Sequence, residues 1–225
     1  MKKIVFIMMA MLMAVIPSTA QNYKHSKYYN QKTGHLDYGF NNKGVDTYYG
    51  IRIGPGFSYV TSDDSRLDGG DWQTGLNVGV VAGFPLTYSD PLYLETGLYY
   101  IEKGGKKSLG GGKKMTYDLN YLEIPVVVKY KYEIDDDLTI EPFAGGYFAA
   151  GVGGKIKDFA VREAQSSFRS DKFRRLDGGL RLGCGIGYDM FYADLTYDLG
   201  LANISHDTFD KARNRAVMLN FGVNF

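Results

Sequence analysis

The chain has 225 residues, and its 26 Lys and Arg against 25 Asp and Glu give a net charge of +1, so it lacks the basic footprint that a nucleic-acid partner requires. Hydrophobic residues make up 44%, and 29 Gly, 19 Tyr and 13 Phe stand beside a single Trp, a bias that fits strands and tight barrels better than helices. One cysteine, Cys184, excludes an intramolecular disulfide and any Cys-based metal spacing.

The first residues run Met1-Lys2-Lys3, then an uncharged apolar block from Ile4 to Ile16, then Pro17-Ser18-Thr19-Ala20. That order predicts a secretory signal peptide over 1–20, cleaved after Ala20. The block is shorter than the ~20 residues a spanning helix needs, and Gln21 rather than a lipid-bearing Cys follows the cut. Residues 21–47 are polar, carry Gly and Asn and have neither a helical nor a strand period, so they read as a flexible, periplasmic N-terminal extension. No later apolar run is long enough for a spanning helix, so any membrane crossing is made by strands.

From residue 48 onward a period of two recurs. Strand one, 48–61, sets Tyr49, Ile51, Ile53, Pro55 and Phe57 against Gly50, Arg52, Gly54, Gly56 and Ser58. Strands over 74–86, 91–103, 115–132, 138–156, 173–189 and 191–203 follow, and in each a row of large apolar residues opposes a row of Gly, polar and charged ones. The last strand, 215–225, alternates Val217, Leu219, Phe221, Val223 and Phe225 with Met218, Asn220, Gly222 and Asn224. Its apolar face must be covered by other strands or by lipid. Segments 62–73, 104–114, 157–172 and 204–212 read as long loops, while 87–90, 133–137 and 189–190 read as short turns. The expected fold is all-β: an eight-stranded antiparallel transmembrane β-barrel over 48–225, with short periplasmic turns and longer extracellular loops.

Alternation alone does not say which face points inward, and a soluble lipocalin-like barrel would reverse the assignment. The Gly rows decide it. An eight-strand barrel has an interior just wide enough for side chains to fill, and the charged face is the one crowded with Gly. Large apolar residues on the convex side therefore predict a barrel in the outer membrane of a Gram-negative bacterium. Pro55, Pro125 and Pro142 fall inside strands of a barrel without edges, so bulges are expected there.

Three stretches, Tyr121-Leu122-Glu123-Ile124-Pro125-Val126-Val127-Val128-Lys129-Tyr130, Glu141-Pro142-Phe143-Ala144-Gly145-Gly146 and the closing Asn220-Phe221-Gly222-Val223-Asn224-Phe225, resemble the PorT-like outer-membrane β-barrel proteins of Bacteroidetes, small barrels of the OmpA/OmpX type. The resemblance covers about residues 48–225 and concerns fold and membrane more than activity. It implies insertion by the barrel-assembly machinery, which reads the terminal aromatic strand, with Phe221 and Phe225 as the C-terminal assembly signal. It also implies a role in secretion or envelope assembly, with envelope or secretion proteins as partners.

The inward face gathers Arg52, Lys129 and Arg181 with Glu95, Glu123, Glu141, Asp194 and Asp198. Charges in a confined lumen must pair or stay hydrated, so they form either an ion path or a salt-bridged plug, and the narrow bore favours the plug. Ser205-His206-Asp207 places three acid-base residue types together, which opens the alternative of a lipid A-modifying enzyme carrying His206, but adjacent residues do not form a triad with one another. The stretch Gly104-Gly105-Lys106-Lys107-Ser108-Leu109-Gly110-Gly111-Gly112-Lys113-Lys114 lacks the Walker order; its lysines suit lipopolysaccharide phosphates, but a solvated loop is the favoured reading. Asp63, Asp64, Asp68 and Asp71, and the run Asp135-Asp136-Asp137, lack the EF-hand pattern and read as solvated. The expectation is a non-enzymatic envelope protein with no cofactor and no metal, monomeric, in contact with outer-membrane lipid and lipopolysaccharide.

Overall fold

The computed structural model describes residues 47–62, 69–87, 90–108, 114–135, 137–158, 165–168, 174–205 and 211–225. The expected signal peptide and all but the last residue of the expected extension lie outside these. Eight long strands, β1 (Tyr48–Ser62), β2 (Gly69–Pro85), β3 (Leu92–Ser108), β4 (Lys114–Tyr130), β6 (Leu138–Gly153), β9 (Leu176–Tyr188), β10 (Phe191–Gly200) and β11 (Ala212–Asn224), pair antiparallel in that order. The ring closes where β11 meets β1, from Gly50 opposite Asn224 to Ser62 opposite Ala212. Closure leaves none of these eight strands with an unpaired edge, which a hydrocarbon environment demands.

The β4 stretch from Tyr121 to Tyr130 shows how the sequence builds the wall. Tyr121, Glu123, Pro125, Val127 and Lys129 are buried, and Leu122, Ile124, Val126, Val128 and Tyr130 are exposed. Buried charges and exposed aliphatic rows invert the arrangement of a soluble domain. The other strands agree: Tyr49, Ile53, Phe57, Leu76, Phe84, Leu98, Phe148, Leu182, Ile186, Leu195, Leu219 and Phe221 all face outward.

Several boundaries differ from the sequence reading. β2 begins at Gly69 and β3 runs to Ser108, so residues expected in loops continue the wall. Gly104 explains the second case. Its φ of 151° is open to glycine, and a Cβ there would overlap the Tyr117 carbonyl, so only glycine lets β3 and β4 stay in register past it. Ser58 fastens the same point, accepting from the Gly104 amide at 2.9 Å and donating to its carbonyl at 3.1 Å.

Three short strands were not expected: β5 (Tyr132–Asp135) on the edge of β6, and β7 (Lys155–Asp158) and β8 (Gln165–Ser166) extending from β4. The bulges expected at the prolines are absent. Pro55, Pro125 and Pro142 keep continuous register with Leu76, Tyr147 and Cys184, respectively. A proline φ fits the wall, and the missing N–H costs ladder pairing on one side only: the β1–β11 ladder skips Gly54 and Pro55, and the β3–β4 ladder skips Pro125. Thr96 Oγ1 donates to the Pro125 carbonyl at 2.7 Å across that second gap. Register shifts fall instead at Ser58/Val60, around Gly70 and Asp71, at Asn120/Tyr121 and at Glu133/Asp135.

Candidate functional site

Tyrosine and glycine shape the lumen together. Tyr48 lies directly opposite Gly83, Tyr99 opposite Gly79, and Phe143 opposite Gly183. In each pair the ring lies over the glycine, where a Cβ would overlap it. The inward glycines thus make room for rings that fold across the bore, among two layers of charge.

The first layer lies in the half of the barrel away from the chain ends. Lys103 Nζ on β3 is 2.7 Å from Glu123 Oε2 on β4 and 3.0 Å from Asp198 Oδ2 on β10. Arg181 on β9 grips Asp198 through Nε at 2.7 Å and Nη2 at 2.8 Å, and its Nη2 also donates to Glu123 Oε1. β3 and β10 stand opposite each other in the ring, so the Lys103–Asp198 bond crosses the full bore. Lys103 also lies 4.2 Å from the Tyr147 ring centroid. Above this layer Asn214 on β11 donates to Asp177 at 2.8 Å and to Tyr121 at 3.3 Å, the latter on the opposite wall. An apolar cluster of Val60, Tyr117, Leu119, Tyr121, Ile156 and Ile204 then fills the end of the bore away from the chain ends.

The second layer lies toward the chain ends. Lys129 Nζ is 2.7 Å from Glu95 Oε2, 3.5 Å from Glu141 Oε2 and 2.9 Å from the Tyr192 hydroxyl. Tyr48 donates to Glu95 at 2.6 Å, and Thr139 donates to Glu141 at 3.0 Å. Arg52 is held by Asn224 Oδ1 at 2.6 Å, by the Val223 carbonyl at 3.2 Å and by the Tyr192 ring, whose centroid is 3.9 Å from Cζ. Between the layers, Asp194 accepts from Thr196 at 2.7 Å and from Asn220 at 2.6 Å. Beside them lies a cavity of ≈ 10 Å³, lined in part by Glu95, Tyr99, Arg181 and Asp194, about the room one water needs.

All eight charged residues singled out from the sequence therefore lie in the lumen, sorted into the two layers with Asp194 between. Lys103 and Asp177 were missed. The signal was present, because continuing the inward row from Tyr99 through Ile101 reaches Lys103, and continuing it back from Arg181 through Gly179 reaches Asp177.

The other candidates are not brought together. Ser205 is buried and donates to Asn203 Oδ1 at 2.8 Å, while His206 and Asp207 lie outside the described residues. Of the glycine- and lysine-rich stretch, residues 104–108 belong to β3, Lys114 opens β4, and 109–113 lie outside the described residues. Asp63, Asp64, Asp68 and Asp136 lie outside them as well, while Asp71 in β2 accepts from Ser108 at 3.2 Å. Among the described residues no group of three or more His, Cys, Asp or Glu is placed to hold a metal ion. Phe221 and Phe225 are both exposed, Phe221 on the outer face of β11 and Phe225 just past its end.

Comparison with known proteins adds the family. Residues 40–206 match the family described as outer membrane protein beta-barrel domain. No curated protein sequence matches the chain. Among solved structures it is similar to Ail, the attachment invasion locus protein of Yersinia pestis, at 17% identity and a TM-score of 0.41 over 80% of this chain and 99% of that one. It is also similar to Neisserial surface protein A, at 13% identity and a TM-score of 0.48 over 80% and 99%. A major outer membrane protein from Thermus thermophilus is 15% identical, with a TM-score of 0.47 over 80% and 100%. With a closed eight-strand wall, an apolar outer face and a family match over most of its length, the chain belongs to the outer membrane protein β-barrel family and resides in the outer membrane of a Gram-negative bacterium.

Proposed function

We propose that this protein is a non-enzymatic membrane scaffold whose lumen is a brace rather than a path, and that it serves envelope structure, assembly or surface interaction through the parts outside the bilayer. The observation that carries this reading is the bond from Lys103 on β3 to Asp198 on β10, joined by Arg181 and Glu123. Four buried charges that satisfy one another across the bore leave no free site for a travelling ion, and uncoupling them costs several kcal/mol. The apolar cluster at the end of the bore away from the chain ends supports the same reading, since a conducting bore would be wetted there. Purified protein in planar bilayers is expected to give no steady single-channel current, and large, stable openings from wild type would overturn the brace.

The resemblance to PorT-like proteins supports an assembly- or secretion-associated role, with the barrel-assembly machinery and envelope or secretion proteins as partners. In this reading the closing strand, ending on Phe221 and Phe225, is what the machinery reads. Deleting residues 223–225 is expected to block insertion while export continues, so that the truncated chain collects in the periplasm and lacks the heat-modifiable gel shift of a folded barrel. Normal outer-membrane levels of the truncated chain would remove the terminal residues from that role.

A further inference from the structure

The outward face of β11 changes character abruptly along its length. Phe221, Leu219 and Val217 point toward lipid, and the next residues of the same row are Arg215, Arg213 and, just before the strand, Lys211. The alternate residues Ala212, Asn214 and Ala216 are buried in the lumen, so the three cations lie on the membrane side of the wall. Tyr59 on β1 stands opposite Arg215, and Tyr197 on β10 accepts from Arg215 Nη1 at 3.3 Å. The Tyr59 ring in turn meets Trp72 edge-on, with centroids 4.7 Å apart. Tyrosine and tryptophan rings on the outer face mark the level where hydrocarbon gives way to headgroups.

The neighbours on the two flanking strands at this level are Tyr59, Thr61, Tyr197 and Leu199, and no acidic side chain is among them. Among the described residues neither Lys211 nor Arg213 has an acidic partner. Its end of the barrel is the one opposite Tyr48 and Phe225 and carries the connections over 154–175 and 201–211. Termini and short turns lie on the periplasmic side of such barrels, which puts the stripe in the outer leaflet.

We propose that Lys211, Arg213 and Arg215 form a binding site for the phosphate groups of a phosphorylated glycolipid of the outer leaflet, with acyl chains lying along Val217 and Leu219 and the Tyr59–Trp72 pair beside the headgroup. Guanidinium groups present paired donors that match phosphate oxygens, and two of them spaced along one strand suit a lipid carrying more than one phosphate. The site is independent of whether the lumen conducts.

Trp72 is the single tryptophan of the chain and stands next to the site, so its emission reports occupancy directly. The purified barrel in neutral detergent micelles is titrated with bisphosphorylated lipid A, with enzymatically dephosphorylated lipid A and with phosphatidylglycerol. Wild type is expected to show a saturable Trp72 shift with the bisphosphorylated lipid. Its half-point should rise about thirtyfold in Arg213→Gln/Arg215→Gln, whose folding is checked by the gel shift. The dephosphorylated lipid is expected to reproduce that weakening on wild-type protein, an arm that decides the matter even where the variant does not fold. An equal response to both forms of lipid A, or an unchanged half-point in the folded variant, would overturn the site. An equal response to phosphatidylglycerol would overturn its selectivity for the glycolipid.

Discussion

The two ionic layers hold similar charges but are built differently. In the layer away from the chain ends, Lys103 and Arg181 meet Glu123 and Asp198, two cations against two carboxylates, and the bonds among them span the bore. In the layer near the ends, Lys129 sits between Glu95 and Glu141, and neutral groups do much of the rest: Tyr48, Tyr192, Thr139 and Asn224 supply donors, acceptors or a ring face. The first layer is locked charge to charge under an apolar cap, whereas the second is cushioned. A missing charge should therefore be felt most in the first.

Removing Arg181 is the hardest test. Arg181→Met leaves Glu123 and Asp198 sharing Lys103 alone, and the expected loss is about 3–5 kcal/mol. Urea unfolding in phosphatidylcholine vesicles, read by the heat-modifiable gel shift, measures it. Adding Glu123→Gln to Arg181→Met is expected to restore part of the loss, because one uncompensated charge then disappears with its partner. If the double variant is as unstable as the sum of the singles, the layer is not a coupled unit.

The same measurement on Lys129→Met should give less, about 2–3 kcal/mol, since Glu95 keeps the Tyr48 hydroxyl and Glu141 keeps that of Thr139. A loss equal to that of Arg181→Met would erase the distinction between locked and cushioned layers. The rings that line the layer near the chain ends can be probed through their glycines. Gly183→Ala and Gly83→Ala each place a methyl into the ring opposite, Phe143 or Tyr48, and the expected cost is about 2 kcal/mol of overpacking.

The wall was legible in the sequence because a period of two leaves no ambiguity about sides once one face is charged and glycine-rich, as the β4 residues Glu123 and Lys129 against Ile124 and Val128 show. Its ends were not. Gly104 and Gly105 read as a loop because glycine is usually a strand breaker, yet Gly104 sits where β3 and β4 approach too closely for any side chain. The prolines misled in the opposite direction, since a ladder tolerates one missing donor without changing register. In the lumen the residue types were legible but the partners were not. Which cation meets which carboxylate depends on strand register around a closed ring, and Lys103 reaches Asp198 only because β3 and β10 stand opposite each other.

The smallest effect sharpens the contrast most. Tyr48 does two separable things in the cushioned layer: its hydroxyl donates to Glu95 at 2.6 Å, and its ring covers Gly83, stacks edge-on against Tyr93 with centroids 5.4 Å apart and lies 3.8 Å from Lys131. Tyr48→Phe removes the first and keeps the second. A buried hydrogen bond to a carboxylate contributes about 1.5 kcal/mol when the acceptor retains another partner, and Glu95 retains Lys129. The expected loss is therefore about 1.5 kcal/mol, below that of Lys129→Met, and Tyr48→Phe with Lys129→Met should lose more than the sum, because Glu95 is then left without either donor. A simply additive pair would mean that Glu95 draws on water in this half of the bore, and that the layer near the chain ends is hydrated rather than cushioned by the tyrosines.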